Sequence, residues 1–266
     1  MSVLWLRVAL ACYAVGLLYA SVALTRSNEL LNRIVLYAAY LGMIFHFVSL
    51  TEEILVTGKI TLMSIHNTES ALAFLIMIVF TGVFLVYRTT SPGIVVFPVV
   101  FLLTLLAATG DRPFFASEGV HRGWLFTHIA LILAGYAALV LSFGASLLYL
   151  LQERSLKSKS VRGLFSRLPA LEVIDEIGFR SLLLGFPFMT LGLIAGTALA
   201  ETTFGRVNFF DPKIFLSFLM WAVYLILLYT RWNAGWRGRR AAYLASGAFL
   251  AAVLAWTANT LHRFVS

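Results

Sequence analysis

The sequence predicts an all-α fold: a polytopic membrane helix bundle of about eight transmembrane helices. Three observations carry that expectation. First, 61% of the 266 residues are hydrophobic and only 12% are charged, with a mean hydropathy of +0.91. A soluble domain is nearer half apolar and a quarter charged, and hiding this excess from water would need a much longer chain. Second, the apolar residues fall into runs close to the ~20 residues that cross about 30 Å of hydrocarbon. Third, Lys and Arg collect in alternate connecting segments. A soluble enzyme, a nucleic-acid binder and a disordered chain are excluded. The net charge of +8 belongs to loops at a lipid surface.

The first run, Val3–Leu24, is too long for a signal peptide and has no basic start, so it reads as a span. It holds the one cysteine, Cys12, which can form no internal disulfide. No C-x-x-C motif is present for thiol exchange or covalent heme attachment. The further runs are Leu31–Leu50, Ser70–Tyr87, Gly93–Ala108, Trp124–Leu151, Ser181–Ala200, Ile214–Tyr229 and Ala241–Leu261. Pro98 inside the fourth removes a backbone donor and favours a kink. Between the fifth and sixth runs, residues 168–177 repeat apolar side chains at helical spacing after Pro169, which predicts a short amphipathic connector lying at the interface. With no repeat, long linker or low-complexity tract, residues 1–266 read as a single membrane domain.

One set of loops carries thirteen Lys and Arg residues, concentrated in 154–180 and 231–240, and the opposite set carries six. The basic set belongs in the cytoplasm, which places both termini outside. On that topology all five histidines, His46, His66, His121, His128 and His262, fall toward the outer side. Imidazole is the commonest metal ligand, and ionisable groups within a membrane point to function. A zinc site would want a carboxylate or a His-x-x-x-His ladder on one helix. Heme fits better, because it needs one or two axial imidazoles in an apolar, aromatic slot. Phe114, Phe115, Trp124 and Phe126 flank one histidine pair, and Phe204, Phe209 and Phe210 precede the seventh run. Arg112, Arg122, Arg206 and Lys213 suit heme propionates, and equally Asp111, Glu118, Asp211 or lipid phosphates. Glu52, Glu53 and Glu69 form a second outer group, read as a helix cap at Glu69 and solvated loop charges at the others. Hydrolytic motifs are lacking.

Several segments together bear a resemblance. They are Phe209-Phe210-Asp211-Pro212-Lys213, Trp221, Leu228-Tyr229-Thr230-Arg231 and Gly235-Trp236-Arg237-Gly238-Arg239-Arg240-Ala241-Ala242. To these add Asn67-Thr68-Glu69-Ser70, Trp124-Leu125-Phe126-Thr127-His128 with Tyr136, and Asn259-Thr260-Leu261-His262. The chain resembles the cytochrome c assembly family, the CcsA/HemX-like heme-handling membrane proteins. Its members carry W-D-P-K-E-T-W before a helix that ends in Thr-Arg and a G-W-R-G-type turn. The resemblance implies a helix bundle with a heme site on the outer face, and His128 and His262 match the family's axial pair of metal ligands. His46 matches a histidine recurring in the second span. With Trp124, Phe204, Phe209, Phe210 and Asp211, these complete the expected cofactor-binding set. Asp211 would cap the seventh helix.

The chain departs from the family in two places. Residues 201–210 contain no tryptophan, so phenylalanine keeps the flat platform but loses the indole donor. Tyr229 stands where synthetase members have a histidine. The resemblance is therefore to the small, HemX-like branch. The expectation is a multi-pass protein of the bacterial inner membrane that binds b-type, non-covalent heme. It would present heme for cytochrome c biogenesis, and would be at most a subunit of a heme-attachment system. Its expected partners are the lipid bilayer, heme, and cytochrome c maturation or heme-biosynthesis proteins. The alternatives are a membrane scaffold that regulates heme biosynthesis through its basic loops, and a small-ion transporter.

Overall fold

A computed structural model describes residues 2–25, 29–57, 65–110, 122–157, 168–205, 209–210, 212–233 and 235–265. Side chains are described there except at 24–25, 56–57, 65, 122, 204, 212–213, 251–252 and 255–265. The described residues form eight helices. These are α1 (Ser2–Thr25), α2 (Glu29–Thr57), α3 (Ile65–Tyr87), α4 (Gly93–Thr109), α5 (Arg122–Lys157), α6 (Leu171–Phe204), α7 (Pro212–Trp232) and α8 (Arg239–Val265). Each expected span finds its helix. All but α4 and α8 are long and apolar enough to cross a membrane on the described residues, and α4, with 17 residues, is shorter. Leu18, Leu55, Val86, Leu184, Ile194 and Leu254 lie exposed on helix faces. Water would not tolerate so much open apolar surface, whereas lipid does. The fold is that of a polytopic helical membrane protein.

The chain divides into two compact units, one of residues 1–116 and 151–173, the other of 117–150 and 174–266. In the first unit, α1 packs on α2 and α4, and α3 packs on α4. Ring-on-glycine contacts bring the helices close: Tyr13 lies over Gly42, and Phe97 over Gly16. Phe97 meets Phe80 edge-on at 5.8 Å between centroids. α4 runs through Pro98 as one continuous helix.

The second unit is built on a seam of small residues between α5 and α6. Gly178, Gly185 and Gly192 recur every seven positions, and Gly196 follows four later. Their missing side chains admit Ala145, Ala138, Ile132 and His128 of α5 in turn. Small residues permit this close approach in membranes, where hydrophobic burial drives helices together only weakly. Two side-chain hydrogen bonds from α7 cross the packing: Tyr224 Oη donates to the Gly135 carbonyl at 3.0 Å, and Trp221 Nε1 donates to Thr190 Oγ1 at 3.0 Å. Leu139, Leu182, Met220, Tyr224, Ala245 and Ala248 belong to the buried core.

The amphipathic connector expected over 168–177 is not a separate element. Residues 171–177 are the first turns of α6, which continues unbroken to Phe204. The reason is tertiary. Gly178 does not interrupt the helix because α5 packs against it. Asp175 turns toward Arg231 of α7 instead of water, accepting at 2.8 Å from Nη1 and again from Nη2. The same carboxylate accepts the Gly238 amide at 3.1 Å, and Arg231 leans on the Phe179 ring. This clamp fixes the α7–α8 turn, where Gly235 and Gly238 take φ values of +61° and +64° that favour glycine.

Candidate functional site: the histidine end of the second unit

His128 sits in the second turn of α5, and its ring lies against α6. Nδ1 is 2.7 Å from the carbonyl oxygen of Gly192. A carbonyl can only accept, so Nδ1 carries the proton. In the neutral ring Nε2 is then the unprotonated nitrogen, with a lone pair for a metal. The ring also covers Gly196, where a Cβ would stand 2.6 Å from Cε1 and 2.7 Å from Nδ1.

The side chain of His262 lies outside the described residues, but its backbone belongs to α8. The level of position 262 is measured from two contacts, the Phe143–Phe249 stack at 4.0 Å and Tyr149 at Gly238, whose order along the chain gives α5 and α8 opposite directions. His128 lies 15 residues before Phe143, and His262 lies 13 after Phe249. At about 1.5 Å per residue, both lie about 20–22 Å along their helices from the stacked rings.

The expected aromatic platform is partly described. Trp124 in the first turn of α5 is half exposed, and Phe210 is 94% exposed. Phe209 packs at 5.6 Å on Phe218 of α7. Phe204 closes α6, where Gly205 (φ +70°) returns its amide to the Glu201 carbonyl at 2.8 Å in a left-handed cap. The Phe204 side chain, Asp211 and its expected cap, His121, and the side chains of Arg112, Arg122, Arg206 and Lys213 lie outside the described residues.

His46 is in different surroundings. It belongs to the first unit, is fully buried, and has both ring nitrogens engaged. Nδ1 lies 3.2 Å from Tyr13 Oη, and Nε2 lies 2.9 Å from Ser70 Oγ. The Asn67-Thr68-Glu69-Ser70 stretch thus meets the second helix through its serine. Glu69 does not cap α3. It lies inside the helix, which starts at Ile65, and faces His66 Nδ1 at 3.3 Å. Tyr229 is exposed on the outer surface of α7. Sequence reasoning missed the glycines at 192 and 196 that receive His128. Their seven- and four-residue spacing was the available signal.

The eight described helices, most of them long and apolar enough to span lipid, define a class: multi-pass helical membrane proteins. The cytochrome c assembly protein family matches residues 4–262, and the chain belongs to that family. It is similar to the cytochrome c biogenesis protein CcsA of Prochlorococcus marinus (strain MIT 9215), 30% identical over 156 residues, which are 52% of this chain and 50% of that protein. The CcsA of Mesostigma viride is 29% identical over half of this chain and 49% of its own length. The CcsA of Guillardia theta is 28% identical over 207 residues, 69% of each chain. The chain thus spans about half the length of the first two of these relatives.

Proposed function

We propose that this protein holds heme non-covalently at the histidine end of its second unit and presents it for cytochrome c biogenesis. The observation that carries the reading is the His128 ring, whose Nδ1–H is fixed on the Gly192 carbonyl. That arrangement, one nitrogen to a carbonyl and the other free, is the usual one for a metal-bound histidine. The level of position 262 on α8 supports His262 as the second axial ligand, which would make the site b-type. The family resemblance assigns Trp124, Phe204, Phe209 and Phe210 to the flat apolar surface of the site, and Asp211 would cap α7. The heme is cargo and supplies the macrocycle to be attached. This chain's residues bind it, orient it and exclude water from it. Iron ligation by His46 would require release of its bond to Tyr13 or to Ser70.

In this reading the histidine end faces outward from a bacterial inner membrane, and the arginine-bearing α7–α8 turn faces the cytoplasm. The nearest partners are the acceptor cytochrome and other maturation or heme-biosynthesis proteins. Family membership supports the cargo, and the departures at 201–210 and Tyr229 support the small, HemX-like branch. The test is the absorption spectrum of protein purified from heme-replete cells. A Soret band lost in both His128→Ala and His262→Ala is the expected result. A band absent from the parent, or unchanged in both variants, overturns the proposal.

A further inference from the structure

The geometry points to Gly196 as the positioning residue that holds His128 in its iron-binding state: its missing side chain lets the ring reach the Gly192 carbonyl. This rests on the reading of His128 as an axial ligand and names what sets that ligand's tautomer and basicity. The two glycines act together. Gly192 supplies the acceptor at 2.7 Å. Gly196 stands one helical turn further on and supplies the space. A Cβ at 196 would lie 2.6 Å from Cε1 and 2.7 Å from Nδ1, well inside van der Waals contact, which begins near 3.5 Å.

The ring has few ways to yield. Its Cβ is fixed to α5, and α5 is held to α6 by the Gly185–Ala138 and Gly192–Ile132 approaches along the same seam. A methyl group at 196 therefore swings the imidazole off the Gly192 carbonyl. The proton on Nδ1 then has no partner in the seam, and Nε2 loses both its fixed direction and the basicity that the hydrogen bond lends it. Loss of such a partner typically weakens metal binding by about 10–100-fold. Gly178 and Gly185 only pack helices. Among the described glycines of α6, Gly196 alone is a position where an added Cβ would meet an imidazole.

The experiment compares full-length Gly196→Ala with the parent in detergent. Its readouts are heme affinity by Soret titration, the low-spin EPR signal and the heme midpoint potential. The expected result is a loss of affinity of about 10–100-fold, with a shifted EPR spectrum and a changed potential. Gly178→Ala adds a methyl group to the same seam away from the ring, 3.5 Å from its nearest neighbour, and should leave the EPR spectrum unchanged. An unaltered EPR spectrum and potential in Gly196→Ala overturns the inference. Should Gly196→Ala fail to fold, His128→Gly/Gly196→Ala decides. Recovered folding, with exogenous imidazole restoring the low-spin spectrum as well as it does in His128→Gly alone, locates the clash in the tethered ring. Failure of the double variant to fold overturns the inference. A Soret band unchanged in His128→Ala sinks the heme-ligand reading itself, a result distinct from either of these.

Discussion

The rings of Phe143 and Phe249 stack with their centroids 4.0 Å apart and their planes within 9° of parallel. They are the point from which the levels of positions 128 and 262 on α5 and α8 are measured. Near the other end of this helix pair, Gly238 receives the Tyr149 side chain. Two separated contacts of this kind fix both the direction and the register of a helix pair.

The stacked pair should therefore couple to the histidine end. An aromatic pair contributes about 0.5–1.5 kcal/mol beyond the area it buries. A thermal-unfolding double-mutant cycle with Phe143→Leu and Phe249→Leu is expected to give a coupling energy of about 1 kcal/mol. Heme affinity should fall in both single variants. A coupling near zero would show that the rings do not set the register.

Asp175 and Arg231 are mostly buried, with side-chain exposures of 17% and 9%. Breaking a buried pair leaves one charge without compensation, at a cost of about 3–5 kcal/mol, whereas replacing both partners is far milder. Asp175→Ala should lower the detergent melting temperature sharply, and Asp175→Asn/Arg231→Met should recover most of the loss. Heme absorption of the folded double variant should match the parent, because the clamp lies at the opposite end of the second unit from His128.

His46→Leu should leave Tyr13 Oη and Ser70 Oγ buried without a partner. The cost is about 1–3 kcal/mol per orphaned group. Adding Tyr13→Phe and Ser70→Ala removes those orphans and should return much of the stability. The Soret band should be unaffected throughout. Its loss in a folded His46→Leu variant would place His46 at the iron instead.

The seam gives a contrast within one residue type. At Gly185 an added Cβ would stand 2.5 Å from Tyr224 Oη and 2.8 Å from Ala138 Cβ, whereas at Gly82 it would meet nothing within 4 Å. Gly185→Ala should destabilise by about 1–3 kcal/mol through overpacking. Gly82→Ala should be neutral or stabilising by up to about 1 kcal/mol through helix propensity. Equal effects at the two positions would argue against the packing described for α5 and α6.

The spans were legible because lipid demands long apolar runs, and every run from Val3 to Leu261 has its helix. Residues 168–177 depart from the expected connector for a definite reason. Their amphipathic pattern suits an interface, but the polar side of that pattern, Asp175, is satisfied by Arg231, 56 residues away. Periodicity cannot show a partner so distant in sequence. The histidines make the same point. His46 and His128 are alike in a sequence, yet one has both nitrogens engaged by side chains and the other has a single bond to a carbonyl. What separates them is the identity of the facing residue, Ser70 in one case and Gly192 in the other. The family motifs located His128 without the glycines that receive it.

The α5–α6 seam seats Ala138 and Ile132 at Gly185 and Gly192, and its axial registration is completed by two pegs. Tyr224 on the Gly135 carbonyl and Trp221 on Thr190 both reach in from α7. The third helix thus acts as a latch for the other two, and shortening either peg should let the pair slip lengthwise before it lets them part.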